Sequence, residues 1–201
     1  MLVAIEVGGT FTDLVAVDDE GIVTSKVRST PFDPEQAPLR AIRTSGISLN
    51  MGVEVRHGST IATNAVLERK GARVLLVTTK GFGDVLFIGR TDKEESFDPG
   101  YRPTPPPVSR DDVWEMEERV LPSGVVETAV VLTGLVDELR QAAAATNGST
   151  CVAVCFLHSY ANPDNELALY RAIREEAPEL PVLVSSRIAP RIREYERTSA
   201  T

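Results

Sequence analysis

Glu6-Val7-Gly8-Gly9-Thr10-Phe11-Thr12-Asp13 decides the fold, because it runs an apolar strand into two glycines and then into hydroxyls, a carboxylate and a second strand. Outward from it, Leu2–Val7 and residues 11–17 read as strands, and residues 22–28 alternate as a third after the turn Asp18-Asp19-Glu20-Gly21. That pattern is an antiparallel meander. Two adjacent glycines let the backbone pass close to a ligand, and their N–H groups can converge into an anion-binding concavity. Thr10 and Thr12 add hydroxyls, and Glu6 and Asp13 are candidate ligands for a divalent cation, held through water if the ion is magnesium. No G-K-[ST] follows and no G-x-G-x-x-G opens a helix, so neither a Walker A loop nor a dinucleotide fingerprint is present. The same residues also suit a plain hairpin turn in which glycine supplies a positive φ.

Beyond the meander, residues 34–45 read as a helix ended by Gly46, and residues 53–57 as a short strand. The run H-G-S-T-I-A-T-N-A-V-L-E-R-K-G-A (57–72) leads that strand into a helix over 61–70, with Ser59 as N-cap and Gly71 as the residue after its end. Thr60 and Asn64 then share a helix face. Residues 73–78 form a central strand, with a short helix near 82–88. Pro99, Pro103, Pro105, Pro106 and Pro107 exclude a helix or central strand, so about 91–112 is an insertion or linker. A hairpin over 113–120 and 124–130, a helix over 132–146, a buried strand at 151–157, a helix opened by Asn162-Pro163 and a strand at 181–185 follow. The C-terminal R-E-Y-E-R-T-S-A-T (193–201), taken alone, reads as a solvated tail. Strands followed by strand–helix alternation indicate an α/β fold with a mixed sheet covered by helices on both faces.

Composition narrows the function. The chain has 201 residues, 21 basic against 29 acidic side chains, a net charge of −8 and 42% hydrophobic residues. An acidic surface argues against nucleic acid or an anionic membrane as the main partner. No apolar run reaches membrane-spanning length and the N-terminus lacks a basic n-region, so the expected location is cytoplasmic. Cys151 and Cys155 share one face of a strand, too far apart to bridge, and read as small buried hydrophobes. With only His57 and His158, no zinc spacing exists; a hard cation held by oxygens stays open.

Five blocks in order carry a family resemblance. Glu6–Asp13 resembles the phosphate loop of the hydantoinase/oxoprolinase A-type family, D-x-G-G-T-F-T-D, and 57–72 is similar to its H-G-[ST]-T-x-A-T-N-A-x-L-E-R-x-G-A. T-T-K-G-F-G-D-V-L-F-I-G-R (78–90), C-F-L-H-S-Y-A-N-P-D-N-E (155–166) and R-E-Y-E-R-T-S-A-T complete the set. The family includes 5-oxoprolinases, N-methylhydantoinases and acetone and acetophenone carboxylase subunits. The resemblance implies an actin/Hsp70/sugar-kinase-like (ribonuclease H-like) fold, with residues 1–201 as its N-terminal domain and the second nucleotide-clamping half absent.

It further implies ATP and a divalent cation, Mg or Mn, as cofactors, and a cyclic amide or ketone as substrate. The missing C-terminal half and a B-type subunit are the implied protein partners. By match, Gly8, Gly9, Thr10, Thr12 and Asp13 serve the phosphates, Glu6 and Asp13 the metal, and His57, Thr60 and Asn64 the substrate. His57 and Asp13 are the catalytic candidates, with Asp84 and Arg90 as further ones. Glu6 stands where the family has Asp, and Gly83 and Phe87 where polar or charged residues are common. The chain is accordingly expected to be inactive alone. The rival readings are a non-catalytic binding module that keeps the fold, and a sugar or acyl kinase of the wider superfamily.

Overall fold

Two units divide the chain, Met1–Gly71 and Ala72–Thr201. The structure is a computed structural model that describes residues 1–49, 52–90, 97–102, 104–146 and 148–201.

In the first unit, β1 (Leu2–Val7), β2 (Phe11–Asp18) and β3 (Gly21–Arg28) form the expected meander. Asp18 turns the chain between β2 and β3 by accepting the N–H groups of Glu20 and Gly21 at 3.0 and 3.2 Å. Helix α1 (Gln36–Ser45) carries Pro38 in its first turn, where the missing N–H is harmless, and ends at Gly46 in the left-handed region, φ 72°. It lays Ala37 and Ala41 on the sheet, and small side chains there let helix and strands approach closely. Strand β4 (Glu54–Ser59) runs parallel to β1, giving the mixed order β3-β2-β1-β4. Alternation buries Val3, Ile5, Val7, Leu14 and Ala16 under α1 and leaves Ala4, Glu6 and Val15 on the open face. Helix α2 (Ile61–Leu67) is shorter than the expected 61–70. Arg69, φ 53°, takes the left-handed position instead of Gly71. The N-cap is Thr60, without a side-chain cap bond, rather than the expected Ser59, whose hydroxyl accepts the Ile61 N–H at 3.3 Å from the last residue of β4.

The second unit has a parallel sheet, order β10-β9-β5-β6, centred on β5 (Arg73–Thr79). After β5 come α3 (Val85–Ile88), β6 (Val113–Met116), the two-stranded ribbon of β7 (Arg119–Val120) and β8 (Val126–Thr128), and α4 (Leu135–Ala144). Then follow β9 (Thr150–Cys155), α5 (Asp164–Glu176), β10 (Val182–Val184), α6 (Ser185–Ile188) and α7 (Glu194–Ala200). Helices α4 and α5 cover one face through Leu139, Leu169 and Ile173 packed on Leu75, Val77 and Val154. The other face, with Leu76, Ala153 and Cys155, packs Leu86 of α3, Val108 and Tyr195 of α7. Cys155 is buried and Cys151 half-buried, both free.

Three expectations need correction. The predicted hairpin over 113–120 is two strands: β6 joins the parallel sheet and only β7 pairs with β8. The break falls at Glu117-Glu118, where Glu118 turns inward and is only 3% exposed. The predicted tail is helix α7, anchored by Arg197, which is fully buried. The helix expected near 82–88 is the single turn α3. The proline-rich stretch lies partly outside the described residues; its described part has no helix or strand before a 3-10 turn at Arg110–Asp112. Among the described residues no helix is long and apolar enough to cross a membrane.

Candidate functional site

The β1–β2 loop is held from three directions. The Gly8 N–H donates to the Phe11 carbonyl at 3.0 Å, and the Thr60 N–H and Ser59 hydroxyl donate to the Val7 carbonyl at 3.1 and 3.3 Å. Neither Gly8 nor Gly9 has a positive φ, so the plain-turn reading does not account for them. Space does. A Cβ on Gly8 would stand 2.9 Å from the Phe11 carbonyl oxygen, and one on Gly9 would stand 3.0 Å from Asn64 Nδ2. The loop thus packs against α2 through Asn64, with Thr60 Oγ1 at the limit of contact, 4.0 Å from that same Gly8 position. Among the described residues, no protein acceptor takes the N–H of Gly9 or Thr10. Gly8, Gly9, Thr10, Ser29 and Asn64 line a cleft of about 670 Å³. Free backbone N–H groups beside an amide in such a cleft suit an anion with several oxygens.

The other predicted residues divide between two places. Thr12 is fully buried and does not line the cleft; its hydroxyl lies 3.0 Å from Ser29 Oγ, which donates to the Gly8 carbonyl at 2.7 Å. Glu6 and Asp13 are direct cross-strand partners on the open face of the sheet, bordering a groove of about 290 Å³ with Arg56 and Gly58. Like charges placed opposite each other repel, and Lys26 offsets this by pairing with Asp13 Oδ1 at 2.8 Å. The Glu6 carboxylate lies over Gly58, so close that a Cβ there would be 2.3 Å from Oε2. Two carboxylates with open oxygens fit a magnesium ion, which takes one or two carboxylates and completes its shell with water and phosphate oxygens. His57 is exposed and in register with Ile5, so alternation turns its side chain toward the α1 face, while the residue also borders the groove of Glu6 and Asp13. The structure therefore gathers Gly8, Gly9, Thr10, Thr60 and Asn64, pairs Glu6 with Asp13, and sets His57 at the border of the same groove as Asp13.

The second unit contains a buried polar network. At the carboxyl ends of β5, β9 and β10, Glu166 accepts the N–H of Phe156 and Ser186, both at 2.9 Å, and the Ser185 hydroxyl at 2.6 Å. Ser159 lies 3.0 Å from Ser185, and Arg197 donates to Ser159 and to Glu194. Since the Ser185 proton goes to Glu166, the Ser159 proton goes to Ser185, and a one-way chain runs from Arg197 to Glu166. Beside it, Thr79 and Asn165 donate to Glu118. Burial holds the Glu118 carboxyl above its ordinary value, against these two hydrogen bonds, and holds the Arg197 guanidinium below its own. The blocks at 155–166 and 193–201 meet here. Glu166, in the first turn of α5, faces inward and is fully buried. Asp84 pairs with Arg110, and Arg90 with Glu196 at 2.7 Å. Burial raises the Cys155 thiol to about 12, which leaves it unreactive.

Fold and loop together define an α/β protein whose first hairpin lines a cleft and carries two amides without protein acceptors among the described residues. The chain belongs to the hydantoinase/oxoprolinase family: the family's N-terminal region matches residues 2–177. It is 33% identical to the acetophenone carboxylase gamma subunit of Aromatoleum aromaticum over 96% of this chain and 29% of that one. Among solved structures it is similar to the ATP-dependent caprolactamase of Pseudomonas jessenii, with a TM-score of 0.78 and 26% identity over 98% of this chain and 30% of the other. It is likewise similar to a nucleotide-free acetone carboxylase, with a TM-score of 0.80 and 25% identity over 98% of this chain and 31% of the other. The chain thus spans about a third or less of these relatives. The mixed α/β architecture they share with it is consistent with the actin-like expectation.

Proposed function

We propose that the chain is the N-terminal, phosphate-binding part of an ATP-dependent enzyme that opens a cyclic amide or carboxylates a ketone. The observation that carries this is the Gly8-Gly9-Thr10 loop, whose Gly9 and Thr10 amides lack protein acceptors among the described residues and whose residues line a cleft shared with Asn64. Relatives described as an ATP-dependent caprolactamase and an acetone carboxylase support the reaction class. ATP, when bound, would supply a phosphoryl group that turns an amide oxygen, or one oxygen of bicarbonate, into part of a leaving phosphate. The chain's residues position and neutralise. Gly9 and Thr10 amides hold phosphate oxygens, Glu6 and Asp13 hold the divalent cation partly through water, and Asn64 borders the cleft on the substrate side while Thr60 anchors the loop through the Val7 carbonyl. His57 belongs to the substrate group. The second clamping half and a B-type subunit complete the cleft, in the cytoplasm.

The test is phosphate release with 5-oxoproline, hydantoin, caprolactam and acetone plus bicarbonate, alongside MgATP binding. The 201-residue chain is expected to bind MgATP without substrate-dependent turnover. Robust turnover by this chain alone would overturn the need for a second half. Failure to bind MgATP would overturn the phosphate role.

A further inference from the structure

We infer that Ser29 is the positioning residue of the phosphate loop, setting its peptide planes through both its hydroxyl and its own backbone N–H. The inference rests on the β1–β2 loop being the phosphate site. Ser29 follows β3, belongs to none of the motifs, and lies 21 residues from the loop residue it holds. Its hydroxyl is 2.7 Å from the Gly8 carbonyl oxygen and 3.0 Å from Thr12 Oγ1. A carbonyl only accepts, so the Ser29 proton goes to Gly8. The proton between the two hydroxyls is then that of Thr12, and the relay runs in one direction, from Thr12 through Ser29 to Gly8. The Ser29 N–H donates to the Thr10 carbonyl at 2.9 Å.

One residue therefore grips the carbonyls on either side of Gly9. A trans peptide points its C=O and N–H in opposite directions. Tying the Gly8 carbonyl to Ser29 turns the Gly9 N–H to the far side, and that N–H is one of the two lacking a protein acceptor. Without the hydroxyl, the glycine–glycine peptide is free to rotate, because glycine tolerates both signs of φ. A rotated peptide would present a carbonyl oxygen to the phosphate. Thr12, fully buried, is the fixed end that keeps Ser29 in the donating orientation. Its burial also explains a hydroxyl in the motif that never reaches the cleft.

The experiment titrates the full 201-residue chain with magnesium tripolyphosphate and with MgATP, following backbone amide shifts, for wild type, Ser29→Ala, Ser29→Thr, Thr12→Val and Thr12→Ser. Ser29→Ala and Thr12→Val are each expected to weaken both probes about tenfold, since a hydrogen bond serving a charged group is at stake. Ser29→Thr and Thr12→Ser, which keep the hydroxyls, are expected to stay within about threefold of wild type. Equal loss for both probes marks a phosphate effect, because tripolyphosphate has no base or sugar. Wild-type affinity in Ser29→Ala would overturn the inference while leaving the phosphate site standing, as would failure of Ser29→Thr to rescue in a folded protein. Should Ser29→Ala not fold, Thr12→Val reads the same relay. A wild-type chain that binds neither probe overturns the phosphate reading itself.

Discussion

Gly58→Ala separates the metal role of Glu6 from its structural role. The two residues are register partners across β1 and β4, and a Cβ at position 58 would stand 2.3 Å from Glu6 Oε2 and 3.5 Å from Cδ. A carbon–oxygen contact needs roughly 3.3 Å, so the carboxylate must retreat by about 1 Å. Glu6 is exposed, and the atom in the way ends a flexible side chain, so the retreat costs little. Replacing glycine in a strand recovers about 0.5–1 kcal/mol of chain entropy. Net stability is expected within about 1 kcal/mol of wild type, a shift of no more than about 4 °C at this size. Magnesium-dependent binding behaves differently. Losing one carboxylate from the ion's water shell is comparable to losing a hydrogen bond to a charged group, about 1.5–3 kcal/mol, or roughly 10- to 100-fold. Thermal unfolding and MgATP titration with and without a chelator read the two effects. Glu6→Gln should lose a similar factor, and the double variant little more, because both remove one carboxylate. Unchanged magnesium dependence in Gly58→Ala would refute the assignment of Glu6. A collapse of stability would refute the claim that its carboxylate is free to move.

Three further outcomes test the rest of the structure. Glu118→Gln is expected to cost about 1–3 kcal/mol in urea unfolding, because Thr79 and Asn165 both donate and an amide NH₂ must face one of them. Burial raises the folded-state pKa of Glu118 above its unfolded value, so its contribution to stability falls as pH rises from the ordinary carboxylate range through the raised value, and Glu118→Gln should remove that slope. Ser25→Ala should be neutral or stabilise by about 1 kcal/mol in thermal unfolding, since the Ser25 hydroxyl is buried without a partner. Arg197→Met should destabilise by about 3–5 kcal/mol, detected as early loss of α7 protection in hydrogen exchange, because it strands Ser159 and Glu194.

Much of the fold was legible because apolar alternation is a local signal. The meander, α1 and the buried strand β9 all follow from it, although the N-cap of α5 is Pro163 and Asn162, one residue earlier, accepts the Asp164 N–H at 2.9 Å. The glycine loop and its helix partner Asn64 were likewise legible as motifs. What escaped depends on partners distant in sequence. Glu166 looks like a helix-end charge until Ser185 and Ser186, about 20 residues away, claim both its oxygens. Arg197 looks like one of several tail charges until Ser159 accepts from it. The face of His57 is fixed only by the register of β4 on β1, and a one-residue slip would have turned its side chain to the face of Asp13. Ser29 carries no pattern at all; its meaning is the carbonyl it reaches.

The most direct test is a ¹⁵N–¹H titration of the wild-type chain with MgATP. The loop reading predicts that the Gly9 and Thr10 amides shift first and furthest, with Asn64 following. Saturable shifts that leave Gly9 and Thr10 unchanged, or no shifts anywhere, would contradict it.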